Sequence, residues 1–350
     1  MARRSDQFAV RRIRIATGHA VASKEPNARA SRPQGRQPCN HGVCAAGGAG
    51  VKLVTYRANG GPARVGIVSE DRVVDAGFDG DMVAFIAAEG SLEAAERRLR
   101  EGSASHALGD VKLLAPLMPP IILNSGQNYW DHRNEKPAVD QKDPEFFLKA
   151  PLAVIGPDEP VILDPVVTKK LDYEVELAVV IGKPGRHIPV ETALDHVFGY
   201  TVANDITARD RQAVPHPQGG FEYALGPGKN FDTSAPLGPW IVTRDEVPDP
   251  QRLGLRTWVN DELRQNNSTE KMIWSVAEIV AFFSHFYTLP AGLVIETGTP
   301  GGTAWASDPD IGGKPYDRDD VRRGGYLQPG DVVRVEVDGV GTLSNPIVAG

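Results

Sequence analysis

The 350-residue sequence predicts a strand-rich α+β fold. Short runs in which apolar and polar residues alternate outnumber the stretches with a helical period, and turn-forming residues separate them. The folded part contains no internal repeat and no heptad run, and the chain exceeds the length that one hydrophobic core needs. We therefore expect one main domain with a smaller appendage before it.

Residues 1–50 predict a disordered basic extension. They are rich in Arg, Ala, Gly and Ser, lack an apolar period, and hold nine Arg or Lys residues against two acidic ones, a net charge of +7. Because the whole chain carries −7, residues 51–350 carry −14, which argues against nucleic acid as a partner. Two alternatives for this extension are a cleavable organelle-targeting leader and a natural start at Val51.

Cysteine usage and hydropathy narrow the class of protein further. Both cysteines, Cys39 and Cys44, lie in the extension near His41, and three possible ligands in a Gly-rich segment are weak evidence for zinc. The absence of cysteine elsewhere excludes a thiol nucleophile and a disulfide framework, and it fits a cytoplasmic location. No apolar run approaches the ~18 residues of a membrane span, so we expect no membrane partner.

The rest of the chain divides into a small N-terminal α+β lobe at residues 51–117 and a larger domain at residues 118–350. The stiff connector Met118-Pro-Pro120 marks the boundary. In chain order, the predicted elements are a first strand from Val51, helices over 82–88 and 92–100, a buried strand over 121–124, a hairpin over 255–265 turning at Asn260-Asp261, a helix capped by Ser275 and Glu278 and ending near Tyr287, and strands over 293–296, 332–337 and 341–343 with a turn at Asp338-Gly339.

Two glutamates define the most informative strand. The run from Leu171 to Gly182 alternates as a β-strand, so Glu174 and Glu176 point to one face while the opposite face is apolar. Two carboxylates side by side repel each other, and a half-apolar strand seldom carries such a pair without a compensating cation or a shared proton. This pair therefore predicts a bound cation.

A third carboxylate follows the next strand-like run, which spans residues 197–205 and ends at Asp205. Three carboxylates without a nearby cysteine suit a hard cation such as Mg²⁺, Mn²⁺ or Ca²⁺ better than zinc. Glu174, Glu176 and Asp205 are therefore the predicted metal ligands. The alternative is that both glutamates are solvated on an exposed sheet face and that Asp205 caps a helix starting near Thr207.

Ten motifs in a fixed order extend this pattern over residues 119–350. They are Gln127-Asn128-Tyr129-x-x-His132, Phe146-Phe-Leu-Lys149-Ala-Pro151, Asp172-Tyr-Glu174-x-Glu176-Leu, Gly199-Tyr-x-x-x-Asn204-Asp205-x-x-Ala208-Arg209-Asp210-x-Gln212, Gly228-Lys229-x-x-Asp232-Thr233, Gly238-Pro-Trp240, Val259-Asn260-Asp261-Glu262, Glu296-Thr-Gly298-Thr299-Pro300, Leu327-x-Pro329-Gly330-Asp331 and Gly341-Thr-Leu-x-Asn345-Pro. In these motifs the chain resembles the fumarylacetoacetate hydrolase superfamily, in particular its acylpyruvate hydrolases and 2-hydroxyhepta-2,4-diene-1,7-dioate isomerases. The resemblance implies a rolled mixed β-sheet or distorted barrel with peripheral helices, usually assembled as a homodimer.

His132 and Glu135 predict a catalytic dyad. The H-x-x-E spacing places imidazole and carboxylate on one face of a helical turn, where the carboxylate orients the imidazole and raises its basicity. The resemblance implies that this pair takes a proton from a metal-associated water, on a mobile element that orders over the substrate. The alternative is a surface histidine in the charged loop over residues 131–136.

Two residues after the third predicted ligand suit the binding of a substrate carboxylate. Arg209 and Gln212 follow Asp205 by four and seven residues, so a helix would point both side chains back toward the metal. Arginine binds carboxylates through two parallel hydrogen bonds, and glutamine adds an orienting donor. The alternative is that Arg209 pairs with Asp210 or another surface acid.

Three more residues receive their roles from the resemblance. Lys229 lies in a Gly-Pro-Gly-Lys loop whose backbone can approach a ligand closely, although a complete phosphate-binding loop motif is absent. The resemblance implies that Lys229 binds the substrate and stabilises developing enolate charge. It also implies that Thr299 and Tyr129 contact the substrate, whereas Gly-Thr-Pro is otherwise ordinary turn chemistry.

The resemblance implies an activity on a small oxo acid. That activity is the hydrolytic cleavage of a carbon–carbon bond in an acylpyruvate or a related 2,4-dioxo acid. An enolate stabilised by a metal ion is also the intermediate of oxaloacetate decarboxylation, of ketonisation or isomerisation, and of hydration, so the same site supports these reactions. Because decarboxylation and isomerisation need no attack by water, the pair of His132 and Glu135 favours hydrolysis. A metal-binding scaffold without catalysis is the non-enzyme alternative.

Two segments depart from the family pattern. Residues 303–326 form a long polar segment that we expect to shape the rim of the pocket, and residues 213–227 contain His216, Phe221 and Tyr223. Either segment suits an oligomer contact or solvated surface equally well. The sequence leaves open whether the substrate is a sugar acid or an intermediate of aromatic degradation.

Overall fold

A computed structural model of the chain describes residues 51–103, 105–135, 142–315 and 318–350. Within these residues the alternating runs of the sequence form strands, and the helices are few and short. The predicted strand-rich α+β fold is confirmed. The extension predicted for residues 1–50, with its two cysteines, lies outside the described residues.

Strands form most of the regular structure of the described residues. They are β1 Lys52–Ala58, β2 Arg64–Ser69, β3 Arg72–Asp75, β4 Ser105–Ala107, β5 Val111–Leu113, β6 Ile122–Gly126, β7 Glu145–Lys149, β8 Val154–Ile155, β9 Val161–Leu163, β10 Leu171–Asp172, β11 Val175–Ile181, β12 Val197–Asn204, β13 Thr207–Ala208, β14 Ala213–Pro215, β15 Phe221–Tyr223, β16 Ala235–Thr243, β17 Gly254–Val259, β18 Glu262–Ser268, β19 Val294–Glu296, β20 Val332–Val337 and β21 Gly341–Ala349.

The helices lie at the periphery of these strands. They are α1 Met82–Ala87, α2 Ser91–Arg100, α3 Trp130–Asn134, α4 Arg209–Gln212, α5 Leu225–Lys229 and α6 Val276–Phe286, and short 3₁₀ turns cover Leu108–Asp110, Pro151–Ala153, Val190–His196, Arg244–Glu246, Thr269–Lys271, Ala304–Ser307 and Pro309–Ile311. No helix in the described part of the chain is both long and apolar enough to cross a membrane.

Most strands belong to one large mixed sheet. Its order is β4-β3-β2-β1-β16-β12-β11-β19-β6-β7, with β5 beside β1 and β8 beside β16. Most neighbours are antiparallel, while β19 with β6 and β16 with β8 run parallel. Within the described residues the end strands β4 and β7 do not pair with each other. The predicted rolled mixed sheet is therefore present, and the sheet is not a closed barrel.

The N-terminal strands are part of this same sheet. β1 pairs with β16, and Leu53 lies opposite Ile241. The side chains of Leu53, Phe85 and Ala95 share one buried cluster, so α1 and α2 cover this end of the sheet. The lobe predicted at residues 51–117 thus contributes β1 to β5 to the sheet that carries the candidate site.

Strand β11 lies between β12 and β19 in the large sheet and is buried on both faces. On one face, Leu177 and Val179 join the main core together with Val335 of the second sheet, whose order is β18-β17-β20-β21-β9. On the other face, Ala178 and Val180 join the cluster that covers the N-terminal strands. Charged groups at the start of this strand are therefore held in a low-dielectric interior.

Several predicted elements are confirmed. The hairpin of β17 and β18 turns at Asn260, which has a positive φ of 55°. A complete capping box joins Ser275 and Glu278 at the start of α6. The helix predicted to start near Thr207 is wrong at its beginning, because residues 207 and 208 form β13 and pair with β10, and α4 starts only at Arg209.

Candidate metal and catalytic centre

The three predicted metal ligands meet at the end of two paired strands. Glu174 and Glu176 flank the first residue of β11, and Asp205 directly follows β12. The register pairs Val175 with Asn204, and the backbone N–H of Asp205 donates to the carbonyl of Glu174 at 2.9 Å. One carboxylate oxygen from each acid lies within 4.8 Å of the others. This spacing allows one cation to touch all three, since bonds to oxygen are about 2.0–2.6 Å long.

Buried lysine and arginine side chains already balance the charge of two of these acids. Lys229 Nζ donates to Glu174 at 2.7 Å and to Asp205 at 2.5 Å, and Lys149 Nζ donates to Asp205 at 2.5 Å. Arg209 also donates to Glu174. The alternative of solvated glutamates on an exposed sheet face is wrong, because Glu174 and Glu176 are each only 3% exposed.

Glu176 is the acid that these side-chain cations leave without a partner. Glu176 Oε2 accepts a hydrogen bond from the backbone N–H of Gly298 at 2.6 Å. Burial raises the pKa of Glu176 well above its ordinary value, and the nearby charges of Asp205, Glu296 and Glu174 raise it further. A divalent cation would offset the repulsion between these buried carboxylates, and the all-oxygen donor set suits a hard ion. The acidic triad therefore fits a divalent metal.

The predicted dyad forms directly beside the triad. His132 lies on α3, and its Nδ1 is 2.8 Å from Glu135 Oε2 at the end of that helix. Its other ring nitrogen, Nε2, is 3.9 Å from Glu174 Oε1. Both dyad side chains are buried, so the alternative of a surface histidine is wrong. Burial raises the pKa of the Glu135 carboxyl well above its ordinary value, although hydrogen bonds from residues 302 and 303 oppose this shift.

Arg209 lies beside the triad, and its guanidinium already donates to three side chains of the protein. Its guanidinium donates to Asp172 at 2.7 Å, to Gln212 Oε1 at 2.7 Å and to Glu174, and it lies 5.0 Å from the ring of Trp305. Although burial disfavours its charge, the carboxylates of Glu174 and Asp172 raise its pKa. Its role in binding a substrate carboxylate stays a prediction, because its observed hydrogen bonds are to other side chains of the protein.

The alternative pairing of Arg209 with its neighbour Asp210 is wrong. Asp210 instead accepts hydrogen bonds from the hydroxyl of Thr168 and from the backbone N–H of Lys169, the latter at 3.0 Å. Asp210 directly follows Arg209 on α4, and consecutive side chains of a helix leave it about 100° apart. The two side chains therefore serve different parts of the molecule.

Three of the remaining predicted residues, Gln212, Lys229 and Thr299, line a narrow cavity over the triad. The cavity is lined by Gly126, Gln127, His132, Glu145, Phe147, Glu174, Glu176, Asp205, Gln212, Lys229 and Thr299. Thr299 Oγ1 accepts from Gln265 Nε2 at 2.9 Å. Tyr129 is fully buried, and its hydroxyl has no hydrogen-bond partner among the described residues. The substrate-binding roles of Thr299 and Tyr129 stay predictions.

Sequence reasoning did not assign Lys149, Asp172 or Glu296 to the site, although each stands inside one of the ten motifs. Lys149 reaches Asp205, and Asp172 accepts hydrogen bonds from Arg209 and from the backbone of residues 304 and 305. The available signal was a charged residue inside an otherwise apolar strand. Such a residue needs a buried partner of opposite charge or a buried ligand.

Glu296 is the most unusual of these residues. It ends β19 and is fully buried, and neither carboxylate oxygen has a hydrogen-bond partner among the described residues. Burial raises its pKa to about 8, and the charge of Asp205 adds to this shift. An acid of this kind is neutral in the folded protein at pH values where an ordinary glutamate is ionised.

We expect the metal-free protein to lose stability as the pH rises from about 5.5 to about 7.5. In this range Glu296, whose folded pKa is raised to about 8, keeps its proton in the folded protein but loses it on unfolding. The folded state thus binds more protons, and each such group lowers the free energy of unfolding by about 1.4 kcal/mol per pH unit. The raised pKa of Glu176 acts in the same direction.

Urea unfolding in EDTA at both pH values measures this slope. The Glu296→Gln variant should show a shallower slope than the parent protein, because it removes one of the titrating groups. The lowered pKa of Glu174 does not interfere, since its contribution is lost only as the pH falls below the ordinary glutamate value. A free energy of unfolding that is constant or rises across this range would contradict the prediction.

The fold and the acidic site together define a family. Residues 121–348 match the family model described as fumarylacetoacetate (FAA) hydrolase C-terminal, and the chain belongs to this family. It is 36% identical over 308 residues to the mitochondrial oxaloacetate tautomerase fahd2 of Xenopus laevis, a match that covers 85% of this chain and 90% of that protein. It is 42% identical over 250 residues to the oxaloacetate tautomerase YisK of Bacillus subtilis, which covers 70% of this chain and 76% of that protein.

Solved structures agree with this assignment. The chain superposes on a maleylpyruvate hydrolase of Sphingobium, solved with manganese(II) ion and pyruvate, with 29% identity, a TM-score of 0.67, and coverage of 85% of this chain and 99% of that chain. It also superposes on a 2-hydroxyhepta-2,4-diene-1,7-dioate isomerase of Mycobacterium marinum, with 29% identity, a TM-score of 0.62, and coverage of 85% and 98%. The predicted superfamily is confirmed. The predicted homodimer and cytoplasmic location stay predictions.

Proposed function

We propose that this protein is a divalent-metal-dependent enzyme that interconverts the keto and enol forms of oxaloacetate. The observation that carries the proposal is the position of His132 Nε2, 3.9 Å from Glu174 Oε1, which puts a buried base beside the three carboxylates. The oxaloacetate tautomerases at 36% and 42% identity support the choice of substrate. The reaction moves one proton between a carbon and an oxygen of a 2-oxo acid.

The dyad performs the proton transfer in this proposal. A divalent cation bound by Glu174, Glu176 and Asp205 would supply Lewis-acid stabilisation of negative charge on the 2-oxo oxygen. His132 accepts the proton from C3 of oxaloacetate at Nε2, which leaves the enolate, and then returns that proton to the enolate oxygen to give the enol; the reverse order ketonises the enol. Glu135 accepts the hydrogen bond from Nδ1–H and stabilises the imidazolium between the two transfers.

Lys229 and Gln212 line the same cavity, and we propose that both contact the substrate. Burial disfavours the charge of Lys229, but Asp205 and Glu174 outweigh it and raise its pKa to about 12, so the ammonium stays charged. Gln212 uses its side-chain carbonyl to accept from Arg209. Its amide N–H groups are therefore the part that can donate to a substrate carboxylate.

A second candidate is the hydrolytic cleavage of an acylpyruvate. It is favoured by the structural neighbour that is named a maleylpyruvate hydrolase and that holds pyruvate. The same base would take its proton from a water molecule that attacks the distal carbonyl, and the products would be a carboxylic acid and pyruvate. Both candidates use the dyad, so kinetics must distinguish them.

The discriminating experiment compares three reactions of the purified protein with Mn²⁺ or Mg²⁺. Ketonisation of enol-oxaloacetate is followed by the loss of the enol absorbance, decarboxylation by pyruvate release, and cleavage of acetylpyruvate by the appearance of pyruvate. We expect the highest kcat/KM for ketonisation, measured against buffer that contains the metal ion alone.

Two results would overturn the proposal. One is an enol absorbance that decays no faster with protein and metal than with metal alone. The other is a higher kcat/KM for acetylpyruvate than for oxaloacetate, which would establish the hydrolase. The exposed variant Glu93→Gln on α2 serves as a control that should match the parent protein in all three assays.

A further inference from the structure

Thr303 lies at the start of the segment that departs from the family pattern, and its side chain contacts the dyad. Its hydroxyl donates to Glu135 Oε2 at 3.0 Å, the same oxygen that lies 2.8 Å from His132 Nδ1. Thr303 is 2% exposed, so water does not compete for this hydrogen bond. Each hydrogen bond to Oε2 limits the rotation of the carboxylate, and the two together fix the oxygen that orients the imidazole.

The position of Thr303 in the chain makes this contact unusual. Thr303 is the N-cap residue of the 3₁₀ turn Ala304–Ser307, where a threonine hydroxyl normally accepts from a backbone N–H of the first turn. Here the hydroxyl forms no capping bond. The backbone N–H groups of Ala304 and Trp305 donate to Asp172 instead, at 2.9 and 3.0 Å. The hydroxyl of Thr303 is thus free to donate to the dyad.

A backbone donor completes the support of Glu135. The N–H of Gly302 donates to Glu135 Oε1 at 2.5 Å. Gly302 has a φ of +108°, and a Cβ there would collide with the carbonyl oxygen of Arg264, so this position cannot carry an informative substitution. Thr303 is therefore the group through which the support of the dyad can be tested.

We propose that Thr303 is a positioning residue, whose hydroxyl holds the Glu135 carboxylate in the orientation that His132 needs for proton transfer. This inference rests on the proposed function, because it assigns a role within the same reaction. The polar segment that begins at Thr303 was predicted to shape the rim of the pocket, and in this inference it also supports the catalytic dyad. Loss of the hydroxyl should lower the rate of proton transfer without changing substrate binding.

The test compares Thr303→Val and Thr303→Ser with the parent protein. Valine keeps the shape and removes the donor, whereas serine keeps the donor. We expect Thr303→Val to lower kcat about 10-fold with KM changed less than about 2-fold, since a hydrogen bond to a charged group is lost. Thr303→Ser should retain most of kcat. Thr243→Val is the matched control, because the hydroxyl of Thr243 is buried with no partner among the described residues.

A double-mutant cycle with Glu135→Gln separates positioning from a general structural effect. If Thr303 acts through Glu135, adding Thr303→Val to Glu135→Gln should cause no further loss of kcat. A kcat loss in the double variant equal to the product of the two single losses would overturn the inference, as would an unchanged kcat in Thr303→Val. If Thr303→Val does not fold, Thr303→Ala is compared with Thr303→Ser, because alanine lacks the hydroxyl and serine keeps it.

A spectroscopic readout keeps this test independent of the reaction. The Nδ1 proton of His132, hydrogen-bonded to a buried carboxylate, should give a downfield proton NMR signal that His132→Gln removes. Thr303→Val should shift or broaden that signal, and Thr303→Ser should preserve it. An unchanged signal in Thr303→Val overturns the inference even if oxaloacetate is not the substrate, while inactivity of the parent protein on both oxo acids overturns only the proposed function.

Discussion

The Glu176→Gln variant is expected to lose metal-dependent turnover and to bind Mn²⁺ far more weakly than the parent protein. Within the described residues Glu176 is the acid of the triad without a lysine or arginine partner, so its charge is balanced best by a bound cation. Losing a direct ligand should cost more affinity than the roughly 10- to 100-fold that loss of an outer-shell partner costs. Turnover should fall by at least ~10²–10³-fold.

Titration calorimetry with Mn²⁺ measures the affinity, and a thermal unfolding scan with and without Mn²⁺ shows whether the metal still stabilises the fold. The metal-free variant should be at least as stable as the metal-free parent protein, because glutamine removes a buried acid with a raised pKa. Glu93→Gln is the matched control for loss of one exposed carboxylate. Unchanged Mn²⁺ affinity in Glu176→Gln would refute the triad as the metal site.

Each acid of this triad was predictable from the sequence by a local pattern. The alternation after Leu171 predicts that the two glutamates point to the same face of a strand. The position of Asp205 at the end of the next strand marks it as the third candidate ligand. Their convergence depends on the register that pairs Val175 with Asn204. The period of a strand does not determine which residue of the neighbouring strand lies opposite, so the resemblance to a family was needed to favour a shared metal site over the alternative of solvated glutamates.

The surroundings of the triad were less predictable. Alternation indicates which face of β11 is polar, but it does not indicate what covers that face, and distant segments provide the cover. Lys149 precedes Asp205 in the chain and Lys229 follows it, and both side chains donate to Asp205. The sequence predicted that Arg209 binds a substrate carboxylate, because a guanidinium suits carboxylates, and the same chemistry pairs it with Asp172 and Glu174 inside the protein.

The segment at residues 303–326 shows how a long polar insertion can hide a structural role. Its composition is typical of solvated surface, yet Trp305 is fully buried and Thr303 contacts the dyad. Hydropathy alone cannot identify such contacts, because they depend on backbone N–H groups and one hydroxyl. The signal that was available is the single tryptophan in a polar run, which indicates an anchor into the core.

The His132→Gln variant is expected to lower kcat by about 10²–10⁴-fold, the usual contribution of a positioned acid or base. His132 is not one of the three acids that form the candidate metal site, so Mn²⁺ affinity should remain close to that of the parent protein. This separation of turnover from metal binding distinguishes His132 from Glu176, whose loss should reduce both. Glutamine also retains a side-chain amide that can interact with Glu135, which limits disturbance of the buried helix turn.

Steady-state kinetics and calorimetry on the same preparation measure the two quantities, and circular dichroism checks that the variant is folded. Glu135→Gln should give a smaller loss of kcat than His132→Gln, because it removes the support of the base and leaves the base itself in place. The expected kcat is therefore lowest for His132→Gln, higher for Glu135→Gln and highest for Thr303→Val. A His132→Gln enzyme with unimpaired turnover would show that another group moves the proton, and both proposed reactions would then lose their base.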